Sequence, residues 1–283
     1  MRLRLYPYTY NNHNEGLAMT VNRAVTWLAR SGYAARGAVY VIVGFFAISA
    51  ALGAGQAVDS EGAMRKILGE SFGEVLLLII SLGLFSFSAW RLTQAIGDTD
   101  GHGGDAKGLL IRAGLIGSAV VHGLLALFAL SLLITLSDSA SEGGKDSLQR
   151  MLGWEYANLL VQAMALVPLG VGLAHLIKAW RANFQRYFQA DERIMRWVRP
   201  ISRIGLLTRG CAFLIIAALL FSGAHNYQPT DPPGLKQVLQ ALQSMPAGTW
   251  LLLTIGLGLL AFALYSLAEA RWRRIDVARL MPN

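Results

Sequence analysis

The sequence predicts an all-α integral membrane protein: a six-helix bundle made of three parallel two-helix repeats around a pseudo-threefold axis. Three observations lead there. Six apolar runs, roughly 37–54, 75–95, 109–136, 157–180, 204–224 and 249–269, each approach the ~20 residues that cross a bilayer core. A short pattern recurs three times at the start of alternate runs, and a second pattern recurs at the end of the others. Basic residues collect on one side of the membrane topology that six spans impose.

Composition excludes the soluble alternatives. The chain has 283 residues, 54% hydrophobic and only 15% charged, with a mean hydropathy of +0.44. A soluble domain of this length carries more charge and fewer apolar residues. Of 25 Lys and Arg, five (Arg65, Lys66, Lys145, Arg150 and Lys236) fall in the three loops of one side, leaving 20 for the other. Basic loops stay in the cytoplasm, so both termini are expected inside and the protein in the cell inner (plasma) membrane. The basic pI of 9.9 is thus a topological signal, and no nucleic-acid partner is expected, since nothing resembles a recognition helix or stacking platform.

In chain order, residues 1–24 form a polar N-terminal extension, whose first 18 residues are either disordered or upstream of a start at Met19. Repeat 1 covers 25–97. It opens with Trp27 and Tyr33 among Arg23, Arg30 and Arg36, a mixture that suits the headgroup zone. The outer loop places Met64, Ile67 and Leu68 on one helical face, which predicts a short amphipathic helix at the membrane surface. Residues 98–108 are a Gly- and Asp-rich linker. Repeat 2 covers 109–182, with its outer amphipathic pattern at Leu148, Met151 and Leu152. The basic segment 183–200 reads as an interfacial amphipathic helix that Pro200 ends before the fifth span. Repeat 3 covers 201–275, with Leu235, Val238 and Leu239 outside, and 276–283 is a C-terminal tail.

The repeat patterns are specific. First helices begin Arg30-Ser31-Gly32, Arg112-Ala113-Gly114 and Arg203-Ile204-Gly205. Second helices end GLFSFSAWRLTQA from Gly83, GVGLAHLIKAWRA from Gly170 and GLLAFALYSLAEA from Gly258. The glycines let backbones approach, the usual means of packing where no hydrophobic drive acts between helices. Over about residues 25–275 this combination resembles the domain-of-unknown-function 1206 family of bacterial membrane proteins, in which a two-helix unit occurs three times in tandem. The resemblance rests on Arg30 with Gly32 to Gly37, and on Gly83, Trp90, Arg91 and Ala95. It implies a fold and a location. The second copy departs from the pattern with Leu115, Ser118 and Ile177-Lys178, and the third with Leu206 and Tyr265-Ser266.

Candidate residues fall into two groups. Arg30, Arg112 and Arg203, with the inner pair Arg36 and Arg209, could bind an anion or lipid headgroup at the cytoplasmic mouth, or anchor the helices to lipid phosphates. Arg36 and Arg209 lie deeper, where an arginine needs an acceptor from protein or from a bound anion. The second group is polar and intramembrane: His122, His175 and Glu269. By helical rise His122 lies ~20 Å and His175 ~8 Å from the inner boundary, so they share no metal or haem, and no metal or cofactor is expected. Gln94, Arg181 and Glu269 align as repeat equivalents, and Glu269 could pair with a ring arginine.

The lone Cys211 forbids an intramolecular disulfide, and no catalytic motif occurs, so no enzymatic activity is expected. The leading expectation is a non-enzymatic scaffold or partner subunit. The alternatives are a small-solute or ion pathway along the pseudo-threefold axis, and binding of an anionic lipid or phosphate headgroup at the cytoplasmic face. Expected partners are membrane lipids, preferentially anionic on the cytoplasmic side, with a homo-oligomer or membrane-protein partner as the macromolecular options.

Overall fold

A computed structural model of the protein describes residues 11–134, 157–223, 235–243 and 246–276. Among the described residues the regular elements are helices. Helix α1 spans Asn11–Ala51, α2 Ser60–Leu68, α3 Gly73–Gly97, α4 Ala106–Ile134 and α5 Ala157–Arg181. Helix α6 spans Glu192–Gly223, α7 Leu235–Gln243 and α8 Gly248–Trp272. Five of them (α1 from Asn22, α3, α4, α6 up to Ser222, and α8) are long and apolar enough to cross a membrane. Their outward faces carry Phe45, Leu76, Leu124, Leu207 and Leu264, all exposed, as a lipid-facing surface requires.

The long helices pack in an open row, α4–α3–α1–α8–α6–α5. Helix α1 lies between α8 and α3, α3 meets α4, α5 meets α6, and α6 meets α8. Glycines set the closest approaches. A Cβ on Gly32 would lie 2.5 Å from the Phe87 Cα, and one on Gly44 would lie 3.0 Å from the Gly256 carbonyl. Helix α2 is capped by Asp59, whose carboxylate accepts from the Gly62 N–H at 2.9 Å, and its basic Arg65 and Lys66 sit at the negative end of the helix dipole. Met64 and Ile67 are buried against Val39, Val43, Leu77 and Leu84, so this outer helix closes the bundle end. Helix α7 does the same with Leu239 and Leu242 against Ala47 and Leu252. The third amphipathic pattern, at 148–152, lies outside the described residues.

Two expectations about elements are corrected. Pro200 does not end a helix: α6 runs through it from Glu192 to Gly223. Proline fits helical φ, and the Arg196 carbonyl it deprives of a donor belongs to an exposed residue, where water or headgroups can serve it. The segment before α6 is not one amphipathic helix either. A 3-10 turn at Asn183–Tyr187 folds it back onto the end of α8, where Gln189 N–H donates to the Trp272 carbonyl and Arg274 N–H to the Tyr187 carbonyl, both at 2.7 Å. Phe184 and Tyr187 are buried by this fold-back, which holds two aromatic side chains out of water. In addition, α1 already begins at Asn11, inside the stretch expected as a separate extension.

Candidate functional site

A chain of ion pairs and hydrogen bonds crosses the basic end of the bundle. Glu269, 1% exposed on α8, sits at its centre. Its Oε2 accepts from Arg36 Nη2 of α1 at 2.6 Å, and its Oε1 from Arg273 Nη1 at 2.7 Å. Arg36 Nε donates to Ser266 Oγ at 3.1 Å, and Arg273 Nη2 to Asp100 Oδ2 at 2.8 Å. Asp100 also accepts from Gln94 Nε2 at 2.8 Å, and Gln94 Oε1 accepts from Arg91 Nη1 at 3.0 Å. Repeats 1 and 3 are thereby tied together through the inner linker.

Aromatic faces house these cations. The Arg36 guanidinium lies 5.2, 4.8 and 5.1 Å from the ring centres of Tyr33, Phe87 and Phe262. Arg91 shares the Phe87 ring at 4.7 Å, and Arg209 shares Phe262 at 4.6 Å. Tyr33 is fixed in turn by Trp90, whose Nε1 donates to its hydroxyl at 3.1 Å. Two further cations hydrogen-bond to phenolic hydroxyls. Lys178 Nζ donates to Tyr265 OH at 2.8 Å, and Arg209 Nη1 donates to Tyr40 OH. Among the described residues neither meets a carboxylate. The cluster therefore holds Arg36, Arg91, Lys178, Arg209 and Arg273 against Glu269 and Asp100, a surplus of positive charge in a mostly apolar surround.

The inner linker supplies the acidic side and its own order. Asp98 takes a left-handed φ of 44°, and its carboxylate accepts from the N–H groups of His102 at 2.7 Å and Gly103 at 2.8 Å. Burial pushes the Asp98 carboxyl up, but those two hydrogen bonds, together with the nearby His102 and Arg112, outweigh it and hold the group below its ordinary value. Burial pulls His102 below its ordinary value despite the nearby Asp100 and Asp98 carboxylates.

The other expected residues go elsewhere. Arg112 donates to the Ala95 and Ile96 carbonyls at 2.6 and 3.2 Å, and Arg203 to the Ala179 and Trp180 carbonyls at 3.1 and 3.0 Å. Each thus caps the C-terminal end of the preceding long helix, where orphan carbonyls and the dipole attract a cation. The two do not converge on one point, and among the described residues the buried Arg30 Nε has no hydrogen-bond partner. His122 and His175 each hydrogen-bond their own helix, through Nδ1 to the Ser118 and Val171 carbonyls at 2.7 and 2.8 Å. Their rings pack on Phe87 and on Phe213.

The capping pairs also reset the repeat register. Ala179 stands where Ala95 stands, so the middle-repeat equivalent of Gln94 is Lys178, not Arg181. Packing agrees: a Cβ on Gly37 would meet Leu267 and one on Gly210 would meet Leu176, which aligns Glu269 with Lys178. Arg36, Arg209 and Glu269 stand out in the sequence, whereas Arg91, Gln94, Asp100, Lys178 and Arg273 join the site only through the fold. The Gln94–Lys178–Glu269 layer had one available signal: each lies one residue before an alanine in the last turn of its helix.

Comparison with known proteins follows the repeats. An uncharacterised protein of Bacillus subtilis (strain 168), YxxB, is 28% identical over 249 residues, covering 87% of this chain and 90% of its own length. No solved structure matches the chain. The pattern of the family described as Domain of Unknown Function (DUF1206) matches residues 31–98, 113–182 and 204–273, one match to each two-helix unit. With three matches spanning most of its length, the chain belongs to the DUF1206 family.

Proposed function

We propose that this membrane protein binds an anionic group of phosphate or carboxylate chemistry at the basic end of its bundle. In this reading α5 is the sixth span, the three repeats surround a pseudo-threefold axis, and the site faces the cytoplasm of a plasma-membrane protein. The observation that carries the proposal is the charge surplus, with Lys178 and Arg209 hydrogen-bonded, among the described residues, to Tyr265 and Tyr40 rather than to a carboxylate. A cation withdrawn from water is costly unless an opposite charge compensates it. Two of the five cluster cations are matched by Glu269 and Asp100, and a bound anion supplies what the protein does not.

Binding without catalysis agrees with the absence of a catalytic motif in the sequence. A scaffold role alone gives no reason to gather five cations around two carboxylates. A conduit along the axis is disfavoured at this level, because the rings of Tyr33, Phe87 and Phe262 pack around Arg36. The test is equilibrium binding of inorganic phosphate and of phosphatidylglycerol to the purified protein, comparing wild type with Lys178→Gln/Arg209→Gln. Each charged hydrogen bond to an anion is worth ~1.5–3 kcal/mol, so affinity should fall more than tenfold. Unchanged binding of both ligands rejects the proposal.

A further inference from the structure

Two of the three repeats are closed between their own helices, and one is open. In repeat 1 a Cβ on Gly32 would strike the Phe87 backbone, and in repeat 3 one on Gly205 would strike the Phe262 backbone. Their equivalent in repeat 2 is Gly114, where a Cβ meets nothing within 4 Å, and the same is true at Gly117 and Gly170. Among the described residues, helices α4 and α5 pack on α3 and α6 respectively but not appreciably on each other.

The side chains explain why. With the register set by the arginine caps, Val171 replaces Phe87 and Phe262, and Ala174 replaces Trp90 and Tyr265. Ser118 likewise stands where the other repeats have Arg36 and Arg209. Small groups have replaced the aromatic filling, and Ala174 is exposed where Trp90 and Tyr265 are buried.

The unfilled seam ends at a charge. Lys178 is one helical turn beyond Ala174 and partly exposed, with Tyr265 OH as its hydrogen-bond partner. It lies three residues, about 5 Å of helix, before Arg181 at the end of α5. A lysine at that depth reaches the phosphate level of the adjoining leaflet. A second copy of this chain is poorly suited to the seam, because Glu269 is the one carboxylate in the six apolar runs and it is buried.

We propose, resting on the anion-binding reading above, that the seam between α4 and α5 holds an acyl chain of an anionic phospholipid whose phosphate is bound by Lys178. The ligand then arrives sideways from the leaflet at the basic end, and repeat 2 is the binding repeat because it has lost its aromatic filling. Hydrocarbon against Gly114, Val171 and Ala174 replaces contacts that Phe and Tyr make in the sister repeats.

The test is photolabelling by phosphatidylglycerol carrying a photoreactive group in one acyl chain, in phosphatidylcholine nanodiscs, with labelled peptides mapped by mass spectrometry. Wild type should be labelled at residues 113–118 and 170–174 above the rest of the bundle. The variant Val171→Phe/Ala174→Tyr installs the side chains of the sister repeats. It should lose that label by more than about tenfold, since several methylenes lose their place, while still binding inorganic phosphate. Seam labelling that survives the filling variant overturns the proposal. So does equal seam labelling by photoreactive phosphatidylcholine, and so does a dimer that the filling variant dissociates. Because phosphate binding is read separately, loss of the seam proposal leaves the anion-binding reading standing. Failure of Lys178→Gln/Arg209→Gln to weaken phosphate binding removes that reading instead.

Discussion

Replacing Glu269 by Gln probes the centre of the site. The side chain keeps its volume but loses the charge that holds Arg36 at 2.6 Å and Arg273 at 2.7 Å. Arg273 retains Asp100 at 2.8 Å, whereas Arg36 retains the Ser266 hydroxyl at 3.1 Å and its aromatic rings but no carboxylate among the described residues. With Arg36 6% and Glu269 1% exposed, water cannot take over the lost role. Breaking a buried pair from one side costs ~3–5 kcal/mol. The glutamine oxygen can still accept one hydrogen bond, so the expected loss lies near 3 kcal/mol. On the scale of about 2–4 °C per kcal/mol this is a fall of ~6–12 °C in Tm, read by thermal unfolding of the purified protein in detergent. The double variant Arg36→Met/Glu269→Leu removes both charges, so it should recover at least ~2 kcal/mol relative to the sum of the two single changes. If Glu269→Gln lowers stability by less than ~1 kcal/mol, the pair behaves as a solvated surface contact and the reasoning fails.

Glycine substitutions should separate the repeats: Gly32→Ala and Gly205→Ala force backbone shifts worth ~1–3 kcal/mol, while Gly114→Ala is neutral or gains up to ~1 kcal/mol of helix propensity. Thermal unfolding of the three variants checks this, and equal losses would contradict the open seam. His102 should titrate below the ordinary ~6.5 by NMR, because burial outweighs its carboxylate neighbours. Its folded pKa is depressed, so its contribution is present above ~6.5 and is lost as pH falls from there through the folded pKa; a measured value above 6.5 refutes the assignment. Asp98→Ala frees two N–H groups and should cost ~1–3 kcal/mol at neutral pH. Since the Asp98 pKa is also depressed, that difference should shrink as pH drops below ~3.9, as unfolding midpoints at the two pH values will show.

The repeats were legible because glycine spacing and apolar length are local properties, and Gly32, Gly205, Gly83 and Gly258 stand at close helix contacts. Arg36 and Arg209 could be singled out because a guanidinium that deep requires a partner. Their particular partners could not be read so directly. Tyr40 and Glu269 come from other repeats, and Asp100 comes from a linker whose Gly-rich composition signals only a turn. The register of α5 was misjudged for a physical reason: Gly170 matches the sister glycines in sequence, yet it faces open space and has no contact to fix its alignment. Pro200 misled similarly, because proline's rule against helix interiors weakens where the deprived carbonyl is exposed.

A structure of the protein in nanodiscs containing phosphatidylglycerol decides whether an anion occupies the site. A phosphate or carboxylate group is expected within about 3 Å of the Lys178 ammonium or the Arg209 guanidinium, at the basic end of the bundle. Lys178 and Arg209 bound only to Tyr265 and Tyr40, with no anion beside either, would contradict that expectation.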